Sequence, residues 1–277
     1  MEIPQTRGFV IRYVVLAFSW SWLWWISAIV VSEHFGDETL PALFGVLGDI
    51  GPFVAVILAL VAHRVGARKI AMILRSAIRL PRQKLALLGF SGIVLLIVAL
   101  AAVVQQGTNE EVSAAPSLWL VVPYLLLMLI IGGGQEEVGW RGVLQPWLVS
   151  RLGRWSGSVI AGIAWFAWHL PLFWTPGSVQ THIPILAFAG FAVGFSLLVW
   201  KAMEMSSYRP STAIALHALN NCAGIFCVFY STQTSSSQPG SWALAAGYLV
   251  AGAIALAIPA TEELTTENHG SRTESRT

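Results

Sequence analysis

The sequence predicts an all-α fold: a polytopic bundle of about eight transmembrane helices with both termini inside, plus one amphipathic helix on the cytoplasmic face. Three observations predict it. The 277-residue chain is 56% hydrophobic and 11% charged, with a mean hydropathy of +0.68. No soluble domain of this size needs so much apolar surface, so the excess faces lipid. Apolar runs of roughly the 20 residues that cross a bilayer recur along the chain. The basic residues also fall on one side of the resulting threading.

In order, the expected spans are 10–31, 43–62, 85–104, 117–134, 157–174, 183–203, 210–230 and 241–259. The first follows Arg7 and Arg12 and has no small-residue cleavage signal, so it is expected to be a retained helix. With the N-terminus inside, the inner segments hold all 16 Lys and Arg residues, and the outer segments hold none. This predicts N-in, C-in topology. Between the second and third spans, "ARKIAMILRSAIRL" lines up Ile70, Ile73, Leu74, Ala77 and Ile78 on one helical face. Arg75 and Arg79 lie elsewhere, as in a helix resting on anionic lipid. Residues 1–259 are expected to form one helical domain, and 260–277 a disordered cytoplasmic tail. The net charge of +2 gives no reason to expect a nucleic-acid partner. Cys222 and Cys227 lie in one apolar run, five residues apart, and point to different sides of a helix, so no disulfide is expected between them.

Ionisable groups inside spans are expensive and mark candidate sites. At "GGGQEEVGWRG", two adjacent carboxylates and an arginine follow an apolar run. If the helix continues through Gly139, Glu137 and Arg141 form an i,i+4 pair in the favourable order. The guanidinium is then expected to grip Glu137 through two hydrogen bonds, offsetting the repulsion between the carboxylates. Glu136, about 100° round the helix, is left unpaired and free for chemistry. A charged helix end at the membrane surface is the plain alternative. His169, in "WFAWHLPLFW", is expected roughly 12 residues into its span. His217 and Asn221, in "HALNN", project from one helix face. Either could be a packing residue or interhelical glue. Glu110 and Glu111, a second acidic pair in a Ser/Ala-rich loop, have no arginine beside them and are expected to be merely solvated. Together, a free carboxylate, two imidazoles and an amide are the inventory for activating water beside a scissile carbonyl and stabilising the oxyanion that forms.

"EEVGWR", His169 with an aromatic one turn earlier, and "HALNN" resemble the three ordered motifs of the CPBP family. That family comprises the CAAX prenyl endopeptidases of the Ras-converting type and the bacteriocin-processing and immunity proteins. Its pattern is E-E-x-x-x-R, then F-x-x-x-H, then H-x-x-x-N. The resemblance covers about residues 115–230, and "RGVLQPWLVSRLGR" is similar to the family's usual continuation. Trp165 stands where phenylalanine is usual, a departure expected to change pocket shape more than catalysis.

The resemblance implies an intramembrane endopeptidase acting on a membrane-associated or lipidated peptide, in a cavity open to the cytoplasm. Glu136 matches the general base, His169 a residue that holds the water, His217 and Asn221 the oxyanion pair, and Glu137 and Arg141 a supporting ion pair. Glu136, His169 and His217 could instead hold Zn²⁺ with an open position, so metal and metal-free mechanisms both stand at this level. Two rival readings are a non-catalytic immunity or scaffold protein of the same fold and a proton-coupled transporter. Every catalytic position is filled, and no inverted repeat is visible, which disfavours both.

Overall fold

The computed structural model describes residues 3–36, 39–81, 83–108, 114–232 and 238–259. The expectations for Glu110, Glu111 and the tail 260–277 lie outside the described residues. Those residues are all-helical, with no strand among them. In lipid only a helix satisfies every backbone N–H and C=O within its own segment, so long apolar runs fold this way.

The helices are α1 (Arg7–Phe35), α2 (Thr39–Asp49), α3 (Gly51–Ala62), α4 (Ala67–Ala77), α5 (Lys84–Gln106), α6 (Val121–Ile130), α7 (Glu137–Gly139), α8 (Gln145–Trp168), α9 (Ile185–Glu204), α10 (Pro210–Cys227) and α11 (Pro239–Ala257). By length and composition, five helical stretches among the described residues could cross a membrane, or six with the bent pair α2–α3, whose halves meet at 50°. The expected spans 117–134 and 157–174 both overlap one of these stretches, Leu118–Trp168. The expected span 210–230 corresponds to α10, which His217, Asn220 and Asn221 leave too polar for that test. The count falls short of eight because Leu118–Trp168 counts once for two expected spans and α10 is too polar to be counted.

The stretch Leu118–Trp168 is not a straight rod. α6 is 10 residues long, about 15 Å of rise and too short to cross alone. Gly133, with φ 115°, then turns the chain. A 3-10 turn at Gly134–Glu136, the three-residue α7 and a π-helical turn at Trp140–Leu144 lead into α8. The helix expected through Gly139 thus changes type there. α8 ends at Trp168 with His169 as its C-cap, and Pro171 follows in a 3-10 turn. His169 therefore lies at a helix end and not part-way along a span. Proline offers no N–H and its ring crowds the preceding turn, so the helix stops just before it.

α9 is the most enclosed helix and packs against α8, α10, α11 and α5. Phe191 and Phe195 of α9 meet Tyr248 of α11 edge-to-face, with ring centroids 5.2 and 5.5 Å apart. Outside, Leu85, Leu88, Leu96 and Leu100 of α5 are exposed, as a lipid-facing surface requires. The expected amphipathic helix forms as α4. Ile73 and Ala77 are buried, and Ile70 and Leu74 pack against the core. Ile78, expected on the same face, falls at the C-cap and is 68% exposed, because the helix has already ended. Cys222 and Cys227 are both free.

Candidate functional site

α10 and the α8 C-terminus converge on the broken segment that follows α6. Between them lies a cavity of about 570 Å³, lined by Glu136, Trp165, His169, His217, Asn220 and Asn221 among others. Three segments separated in sequence thus deliver their polar side chains to one space. Gly133 makes the convergence possible. Besides its left-handed φ, a Cβ there would stand 2.6 Å from His217 Nε2 and 2.8 Å from Asn221 Nδ2. Only glycine permits both the turn and the approach.

The two glutamates are sorted by the turn that carries them. Glu136 borders the cavity. Glu137 has no exposed surface and lies behind it, where its Oε1 accepts from Arg141 Nη1 at 2.9 Å and from His217 Nδ1 at 2.7 Å. The i,i+4 pair therefore forms, but not as a two-bond grip. The second guanidinium arm, Nη2, donates instead to Ser196 Oγ of α9 at 2.9 Å. The guanidinium also lies over the Trp165 ring, 4.7 Å from its centroid. Arg141 thus ties the motif to α8 and α9, a cross-bundle role that spacing along one helix cannot show.

Glu136 is not unpaired either: Trp165 Nε1 donates to its Oε2 at 2.9 Å. The departure from phenylalanine supplies a donor that a phenyl ring lacks. The backbone oxygen of Trp165 accepts from His169 Nδ1 at 2.8 Å. A neutral imidazole with its proton on Nδ1 has its lone pair on Nε2. At the other wall, Tyr248 Oη donates to Asn220 Oδ1 at 2.6 Å, Asn220 Nδ2 to Asn221 Oδ1 at 2.9 Å, and Asn221 Nδ2 to the Gly132 carbonyl at 2.8 Å. This chain holds the Asn221 amide from both ends and leaves its second N–H uncommitted.

All seven residues singled out from the sequence lie within this one constellation. Five line the cavity, and Glu137 and Arg141 stand behind it. Asp49, Ser196, Asn220 and Tyr248 were missed. Asp49 ends α2 at the bend and lines the same cavity. It is the one ionisable residue in 43–62, a signal that was available in the sequence. Gln135 Nε2 bridges the Asp49 and Ile131 carbonyls at 3.3 and 2.8 Å, joining that bend to the motif. Ser196, Asn220 and Tyr248 carry no local signal, since only packing makes them partners.

Among the described residues, no group of three or more His, Cys, Asp or Glu could hold a metal ion. Glu136, His169 and His217 share the cavity without forming a ligand set, and His217 Nδ1 is taken by Glu137. The alternative of a Zn²⁺ set made of these three residues gains no support from this grouping, and no step below passes through a metal.

Residues 117–223 match the family model described as Type II CAAX prenyl endopeptidase Rce1-like. That segment is similar to this family and spans less than half of the chain. At family level the match supports a CAAX-type intramembrane protease, in agreement with the helices apolar enough for several spans. The matched segment holds all seven residues above, together with Ser196 and Asn220. A comparison with curated proteins finds no match.

Proposed function

We propose that the protein is an intramembrane endopeptidase that hydrolyses a peptide bond with a water activated by Glu136. The observation that carries this reading is the sorting of the carboxylates: Glu136 faces the cavity with both histidines, while Glu137 is locked behind it. A general base must reach the water, and a supporting ion pair must not compete for it.

In the proposed reaction, Glu136 takes a proton from the water through Oε1, its Oε2 being occupied. His169 accepts the water's other hydrogen at Nε2, and this orients the attacking lone pair. As the carbonyl becomes an oxyanion, Asn221 donates its free N–H, and His217, in its imidazolium form, donates from Nε2. Glu137 is the counter-ion for that imidazolium, as a carboxylate behind a catalytic histidine is elsewhere. Glu136 then passes the proton to the departing amine. The substrate is a membrane-associated or lipidated peptide in the cell membrane. The expected opening toward the cytoplasm is not supported: Thr175, Gln180 and Tyr230 line the cavity at the end of the bundle opposite Arg154 and Lys201, which lie toward the far ends of α8 and α9.

Glu136→Gln keeps the shape and removes the base, so peptide cleavage is expected to fall by about 10²- to 10⁴-fold with folding and insertion intact. Glu110→Gln and Glu111→Gln are expected to be silent. Near-normal turnover by purified Glu136→Gln in detergent would sink the proposal. Turnover is also expected to survive exhaustive chelation; loss on chelation with recovery on adding Zn²⁺ would replace this mechanism.

A further inference from the structure

We infer that Trp165 is a positioning residue that sets which oxygen of Glu136 meets the water; the inference rests on Glu136 being the base. The indole N–H donates to Glu136 Oε2 at 2.9 Å. A carboxylate with one oxygen held cannot rotate freely about its last torsion, so Oε1 is left toward the cavity. The indole itself is immobile. Trp165 is 1% exposed, and its ring is enclosed by Arg141 at 4.7 Å, His169 and His217 at 5.1 Å each, and Phe195 at 5.6 Å. Its backbone oxygen meanwhile holds His169 through Nδ1. One residue thus orients the base by its side chain and the water-holding imidazole by its main chain. A phenylalanine, as in the F-x-x-x-H pattern, would keep the second function and lose the first. In this chain the base has therefore acquired a partner that the pattern does not contain.

The test replaces Trp165 by phenylalanine and, by genetic-code expansion, by 3-benzothienylalanine, which keeps the bicyclic shape but has sulfur in place of the N–H. The probe is a quenched fluorogenic peptide with a farnesylated CAAX terminus. For both variants kcat is expected to fall about 10- to 100-fold, the range for losing a hydrogen bond to a charged group. KM should stay within about threefold, since substrate binding does not use this bond. A benzothienyl variant within about twofold of wild-type kcat, or a loss confined to KM, overturns the inference. Thermal unfolding provides an arm that needs no activity. The benzothienyl substitution should lower the melting temperature of the wild-type chain. It should not lower that of Glu136→Leu, in which the acceptor is gone. Additive losses overturn the inference whatever the kinetics. Coupling without any cleavage by the wild-type chain would leave the bond standing and remove the protease reading instead.

Discussion

Glu137 has no exposed surface, shares Oε1 between Arg141 and His217, and among the described residues has no hydrogen-bond partner for Oε2. Removing the guanidinium would leave the buried Glu137 carboxylate with the His217 ring as its one remaining partner and Ser196 Oγ without its donor. Arg141→Ala is therefore expected to lower stability by about 3–5 kcal/mol and to abolish cleavage. Arg141→Lys should also fail, because an ammonium cannot bridge Glu137 and Ser196 while lying flat over Trp165. Glu137→Gln with Arg141→Met should regain much of the stability without full activity. If unfolding in detergent shows the single changes adding to within about 0.5 kcal/mol, the two residues act independently and this account fails. At the neighbouring turn, Gly133→Ala forces a side chain into φ 115° and against His217. Backbone strain alone is expected to remove about 1–3 kcal/mol. Cleavage should fall further as His217 and Asn221 are displaced; normal kcat in a folded variant would show that this approach is not needed.

Between elements, the active segment is clamped from two sides. α10 presents His217 and Asn221 from one side. On the other, α1 places the Tyr13 ring against Gly139, where a Cβ would stand 2.7 Å from Tyr13 Cε2. Trp140, in the π turn, packs its ring 5.8 Å from Tyr13 and 5.7 Å from Trp168. Gly139→Ala is expected to overpack this contact by about 1–3 kcal/mol and reduce cleavage, since α1 can move away only by disturbing the turn that carries Glu136. Tyr13→Ala in the same chain should recover part of the loss. If the double variant is no better than the product of the singles, the contact does not transmit the damage. π-helical turns often mark functional sites. Here the extra residue per turn changes the helix phase between Arg141, which faces Glu137 and Ser196, and Gln145, which reaches Ser158 and the Ser196 carbonyl at 3.0 and 2.9 Å.

For the whole molecule, the one-sided basic residues predict that 64–84 and the tail beyond Thr261 both face the cytoplasm. Single cysteines placed in either segment, in a Cys222→Ser, Cys227→Ser background, should resist an impermeant maleimide added to intact cells. They should react once the membrane is opened, and labelling from outside would overturn the orientation. The basic, amphipathic α4 lies within the first of these segments. Its apolar face is buried against the core, and Arg68, Lys69 and Arg75 remain exposed.

The all-α class was legible because a bilayer leaves a long apolar run little choice but helix. The Glu137–Arg141 pair was legible because helical period alone brings i and i+4 together, even across a change of helix type. What followed from neither was the work of contacts between distant residues. The Trp165 bond to Glu136 joins positions 29 apart, and the His217 bond to Glu137 joins positions 80 apart. Both depend on how helices rotate and cross, which periodicity along one helix does not encode. The breaks at Gly133 and Trp140–Leu144 likewise cut one apolar stretch into pieces that composition reads as continuous. The sequence by itself determined that two carboxylates, two imidazoles and an amide would lie within apolar helices. Only the tertiary structure decided which carboxylate faces the cavity and which is held behind it, because that choice is made by the indole, guanidinium and imidazole that packing brings to each.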